Sequence, residues 1–73
     1  MKVKLESTLK IVELNGVPAR IWEGETESGI KVHAFITRIA AAEGSDLRQF
    51  DAELKECRQP SADVQSYPLR LVL

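Results

Sequence analysis

Leu9-Lys10-Ile11-Val12-Glu13-Leu14-Asn15-Gly16-Val17-Pro18-Ala19-Arg20-Ile21-Trp22 decides the fold. Asn15-Gly16 stands between two β-rich runs. Both residues tolerate the positive φ that a type I′ turn requires, which is why Asn-Gly is the strongest short hairpin signal. Working outward, Ser28-Gly29 separates Arg20–Thr26 from Ile30-Lys31-Val32-His33-Ala34-Phe35-Ile36-Thr37-Arg38-Ile39, a run rich in β-branched and aromatic residues. The pattern predicts three consecutive antiparallel strands near 8–14, 17–25 and 30–39. Pro18 cannot donate to a ladder, but beside a turn that loss costs least. Residues 2–7 also alternate and either extend the first strand or fray.

Gly44 breaks the strand pattern, and the period then changes. Leu47, Phe50, Leu54 and Cys57 recur at helical spacing. Ser45 or Asp46 is the expected N-cap, with Gln49 placed as in a capping box. Asp51 and Lys55 form a favourable i,i+4 pair, and Pro60 stops the helix. Ser61–Pro68 reads as polar linker and Leu69-Arg70-Leu71-Val72-Leu73 as a short last strand. The expected fold is therefore α+β: a three-stranded antiparallel meander, one helix packed on one face, and a short C-terminal strand returning to the sheet.

Register follows from the turns. With Asn15-Gly16 as a two-residue loop, Leu14 faces Val17, Val12 faces Ala19 and Ile11 faces Arg20. With Ser28-Gly29 as another, Trp22 faces Phe35, Ile21 faces Ile36 and Glu23 faces Ala34. Side chains alternate between faces. One face then carries Val12, Leu14, Val17, Ala19, Ile21, Ile30, Val32, Ala34 and Ile36, the expected core under the Leu47–Cys57 stripe. The other carries Leu9, Ile11, Arg20, Trp22, Thr26, Lys31, His33, Phe35, Thr37 and Ile39. A solvated face should be mostly polar, and Trp, Phe and Arg are enriched at interface centres. Leu9, Ile11, Arg20, Trp22, Lys31, His33, Phe35 and Ile39 are accordingly the expected interaction face. It is covered by a second copy, by the chain's own termini or by another protein.

At 73 residues the chain has room for one small domain with a thin core. Its 44% apolar and 29% charged residues fit a globular chain rather than a disordered one. One Cys and one His exclude an internal disulfide and a four-ligand structural zinc. A formal net charge of −1 gives no overall basic field for nucleic acid. No run approaches the roughly 20 apolar residues of a membrane span, and Met1–Lys10 lacks the apolar region of a signal peptide. A cytoplasmic setting is expected.

Few residues suggest chemistry. His33 has no identifiable nucleophile and orienting partner. Cys57, on the apolar stripe, reads as a small hydrophobe. Glu23, Glu25 and Glu27 read as a solubilising strand end, because a strand does not gather the oxygens that a calcium site needs. No glycine-rich phosphate loop is present. Neither enzyme, metal nor cofactor is expected. The second reading is nucleic-acid binding through Arg20, Lys31, His33 and Arg38 with Trp22 and Phe35 as stacking groups.

Asn15-Gly16-Val17-Pro18-Ala19-Arg20-Ile21-Trp22-Glu23-Gly24, then Gly29–Ile39, Phe50-Asp51-Ala52-Glu53-Leu54 and Pro68-Leu69-Arg70-Leu71 resemble small uncharacterised proteins of bacteriophage and prophage type. The resemblance spans residues 11–73 and carries no activity or site residues. It implies a small accessory protein of a mobile element. The expected function is thus non-enzymatic: presentation of a mixed aromatic–basic face for homodimerisation or binding to another protein.

Overall fold

Asn15 (φ 50°) and Gly16 (φ 85°) form the first turn. It joins β1 (Val3–Leu14) to β2 (Val17–Thr26), with Leu14 opposite Val17, Val12 opposite Ala19 and Ile11 opposite Arg20. A computed structural model describes residues 1–66 and the backbone of Arg70–Leu71. The meander continues into β3 (Lys31–Ile36), followed by α1 (Leu47–Leu54) and α2 (Ala62–Gln65). Arg70–Leu71 (β4) runs parallel beside Glu13–Leu14, giving the order β3-β2-β1-β4. Of the expected final strand, Leu69, Val72, Leu73 and all side chains lie outside the described residues. So do Tyr67 and Pro68 of the expected linker.

The second turn differs from the expected one. The Gly29 N–H donates to the Thr26 carbonyl at 3.0 Å, and the Thr26 N–H donates to the Ile30 carbonyl at 3.0 Å. Gly29 sits at φ +87°. This is a three-residue loop, Glu27-Ser28-Gly29, with glycine in the left-handed position that such loops require. The Thr26 hydroxyl accepts from the Ile30 N–H at 3.2 Å and locks the geometry. An odd loop shifts the register by one residue and turns every β3 side chain to the other face. Ile21 therefore faces Phe35, Trp22 faces Ala34, Glu23 faces His33 and Arg20 faces Ile36.

The core moves with the register. Val12, Ala19 and Ile21 are buried on the inner face, and Phe35 packs against the cluster that Val12 and Ile21 form with Val64. Val32, Ala34 and Ile36, expected there, line the outer face with Trp22, while Ile30 and Val17 are exposed. The cover also differs. α1 begins as expected at Asp46, whose Oδ1 accepts from the Arg48 and Gln49 N–H groups. It ends at Leu54, before Cys57, and contains no buried residue. The core cluster takes its covering residue from α2, in the stretch expected to be linker: Val64 is fully buried on Val12 and Ile21.

β1 carries a bulge. Ser7 faces Trp22 and Ile11 faces Arg20, so Thr8, Leu9 and Lys10 together oppose Ile21. Thr8 is fully buried. Its hydroxyl donates to the Ile21 carbonyl at 2.7 Å and accepts from the Lys10 N–H at 3.3 Å, replacing ladder bonds that the bulge removes. Further along, Leu5 faces Gly24, and a Cβ on Gly24 would collide with the Lys4 carbonyl.

Thr8→Val keeps the shape and removes the hydroxyl, so it should lower the unfolding free energy by about 1–3 kcal/mol. Gly24→Ala should lower it by about 2 kcal/mol or more through the backbone clash. Urea unfolding followed by Trp22 fluorescence measures both.

Candidate functional site

Among the described residues, two places gather side chains that neither secondary structure nor the core explains. The first is on the outer face. Arg20 and Trp22 alternate outward from β2, Ile11 projects beside them from β1, and Ile36 from β3. The chain then runs through Thr37–Ile39, and α1 presents Phe50 and Leu54 to the same space. These residues line an open groove of about 430 Å³. Ile11, Ile39 and Leu54 remain 46%, 48% and 42% exposed there, and Glu53 stands at its side. The Arg20 guanidinium is fixed by donating to the Thr8 carbonyl at 2.7 Å.

Of the residues expected on one face, Ile11, Arg20, Trp22 and Ile39 meet in this groove. Leu9 lies in the β1 bulge and is half exposed. Lys31, His33 and Phe35 stand on the opposite side of the sheet, across from Glu25, Glu23 and Ile21. The three-residue turn is the physical reason. It separates Trp22 from Phe35 and puts His33 beside a carboxylate.

That carboxylate belongs to the second place. Glu23 follows Ala19 and Ile21 along the inner face of β2 and is buried, rather than lying on a solubilising strand end. It accepts from the Ser61 N–H at 3.0 Å and from the Ser61 hydroxyl. The Arg58 guanidinium lies 3.2 Å from it, and His33 Nε2 lies 3.9 Å away. Glu6, directly opposite on β1, would repel Glu23, since like charges across a strand pair destabilise it. Arg58 resolves this by contacting Glu6 at 3.1 Å through its Nε and Glu23 through its terminal nitrogen.

Burial pushes the Glu23 carboxyl upward. The two bonds from Ser61, then the charges of Arg58 and His33, more than offset that, and the net position is below the ordinary glutamate range. A carboxylate so held is a weak base, and Ser61 spends its proton on it. The cluster is built to keep a charge in place rather than to move a proton. Among the described residues no group of three or more His, Cys, Asp or Glu side chains is arranged to hold a metal ion.

Cys57 lies outside α1 and is half-buried. Its sulfur is 3.5 Å from the Ser7 hydroxyl, which donates to the Glu56 carbonyl at 2.8 Å. Sequence reasoning missed Glu23 as an inner-face group. The signal was its spacing of two and four from Ile21 and Ala19. No helix among the described residues is long and apolar enough to cross a membrane.

No known family, curated protein or solved structure matches the chain.

Because the folded pKa of Glu23 is depressed, its contribution to stability is present at neutral pH and is lost as the pH falls through the ordinary glutamate range and below. Urea unfolding from neutral to acid pH should show this loss. The Glu23→Gln chain should start less stable and decline less over the same range.

Proposed function

We propose that the chain is a small non-enzymatic accessory protein of phage or mobile-element type, and that it works by pairing with a second copy through the outer groove. The observation that carries this reading is exposed apolar area at one place: Ile11, Ile39 and Leu54 stand 46%, 48% and 42% exposed around Trp22 and Phe50. Apolar groups gathered in this way mark an interaction surface.

The same reading makes α1 a wall of the interface instead of a lid on the core. The accessory role rests on the resemblance of residues 11–73 to phage and prophage proteins. Nucleic-acid binding is less well supported, because Trp22 and Phe35 lie on opposite faces and cannot form one stacking platform.

Sedimentation velocity over a dilution series tests the proposal. The wild type should pass from monomer to dimer with rising concentration. An Ile11→Ser, Ile39→Ser double variant, altered only at exposed positions, should stay monomeric with an unchanged circular dichroism spectrum. A wild type that is monomeric throughout would overturn the dimer.

A further inference from the structure

We propose that the segment from Arg58 to Gln65 is a releasable strap pinned by the Glu23 carboxylate, and that neutralising this carboxylate lifts the strap from the inner face while β1, β2 and β3 stay paired.

The strap has a firm foot. The Leu9 N–H donates to the Arg58 carbonyl at 3.0 Å, and the Arg58 N–H donates to the Ser7 carbonyl at 3.1 Å. Its other end returns to the same edge of β1, where Arg70 lies beside Glu13. Between these points the strap is knit to itself. The Gln65 N–H donates to the Ser61 carbonyl, the Gln65 side chain to the Pro60 carbonyl, and the Ser66 hydroxyl to the Asp63 carbonyl. Beyond Arg58, the polar contacts of residues 59–66 with the sheet, among the described residues, all end on Glu23. Among the described residues, the apolar hold is the burial of Val64 on Val12 and Ile21. α1, before the foot, has no buried residue and lies by the outer groove, on the other side of the sheet.

The design therefore concentrates polar attachment in one titratable group. The charged groups around it act on the pin in known directions. From the foot, Arg58 strengthens it, and so does His33 on β3 when charged. Glu6 on β1 opposes it and shares Arg58. Lys31 and Glu25 face each other one register pair further along, and Asp63 in α2 lines the same cleft. Protonation of Glu23 removes the charge that the Ser61 donors and Arg58 share, and charge-assisted bonds are about twice as strong as neutral ones. Lifting the strap uncovers Val12, Ile21 and Phe35, an apolar surface on the side of the sheet away from the groove. The inference stands independently of the dimer.

Amide hydrogen exchange by NMR on the full chain tests it. In Glu23→Gln at neutral pH, protection at Ser61, Gln65 and Ser66, whose N–H groups are hydrogen-bonded, should fall by about tenfold or more, the loss expected for charge-assisted bonds. Ile21 and Ala34 should keep their protection. Glu6→Gln, which leaves the Ser61 bonds intact, should leave the strap protected. Equal loss at strap and strands, or an unchanged strap, would overturn the proposal. If Glu23→Gln does not fold, an acid titration of the wild type decides. Ser61 and Val64 signals must shift before those of β2 and β3, and a single shared transition would overturn the strap as a separate unit.

Discussion

Gly29 at positive φ is the constraint on which the rest of the structure depends. It makes the second hairpin loop three residues long, and an odd loop decides which face each β3 side chain joins. Phe35 thereby enters the core beside Ile21, and His33 is placed next to Glu23. Ala34 and Ile36 go to the outer face with Trp22. The core, the charged cluster and the groove are three consequences of one backbone conformation that glycine adopts without strain.

A sheet with apolar groups on both faces needs cover on both. The described residues supply little. On the inner face Val64 closes the cluster formed by Val12 and Ile21, and the strand edge beyond it is tied down by charge through Arg58, Glu6 and Glu23. On the outer face α1 stands beside the groove without burying a residue. One face is thus closed by a short strap held electrostatically, and the other is left partly open.

The sequence made the elements legible where local chemistry decides them. Asn15-Gly16 specified its turn and the adjoining register, and Asp46 specified the start of α1. It misled where two local solutions compete. Ser28-Gly29 suits a two-residue loop as well as the last two positions of a three-residue one, and the Thr26 hydroxyl tips the choice. The β1 bulge has no marker in composition, because Thr8 serves equally well as a strand residue. Glu23 shows why the cluster was hidden. A carboxylate at an inner-face position reads as solvated until Ser61, thirty-eight residues later, is known to meet it. Of the expected interaction face, Ile11, Arg20, Trp22 and Ile39 meet in the groove, Leu9 lies in the bulge, and Lys31, His33 and Phe35 followed the turn to the other side.

The β1 bulge has a consequence for how such a chain tolerates insertion. Thr8, Leu9 and Lys10 occupy the place of one residue, so the strand carries two extra. An even number leaves the alternation intact, and Glu6 and Ser7 still meet Glu23 and Trp22 on matching faces. One residue gained or lost within 8–10 can be taken up in the bulge, leaving Glu6 opposite Glu23 and Ser7 opposite Trp22. The same change made within Val3–Glu6, where the pairing is regular, would move the register by one and carry the side chains beyond it to the other face. The bulge is therefore the place where this strand absorbs a change of length without exchanging its faces.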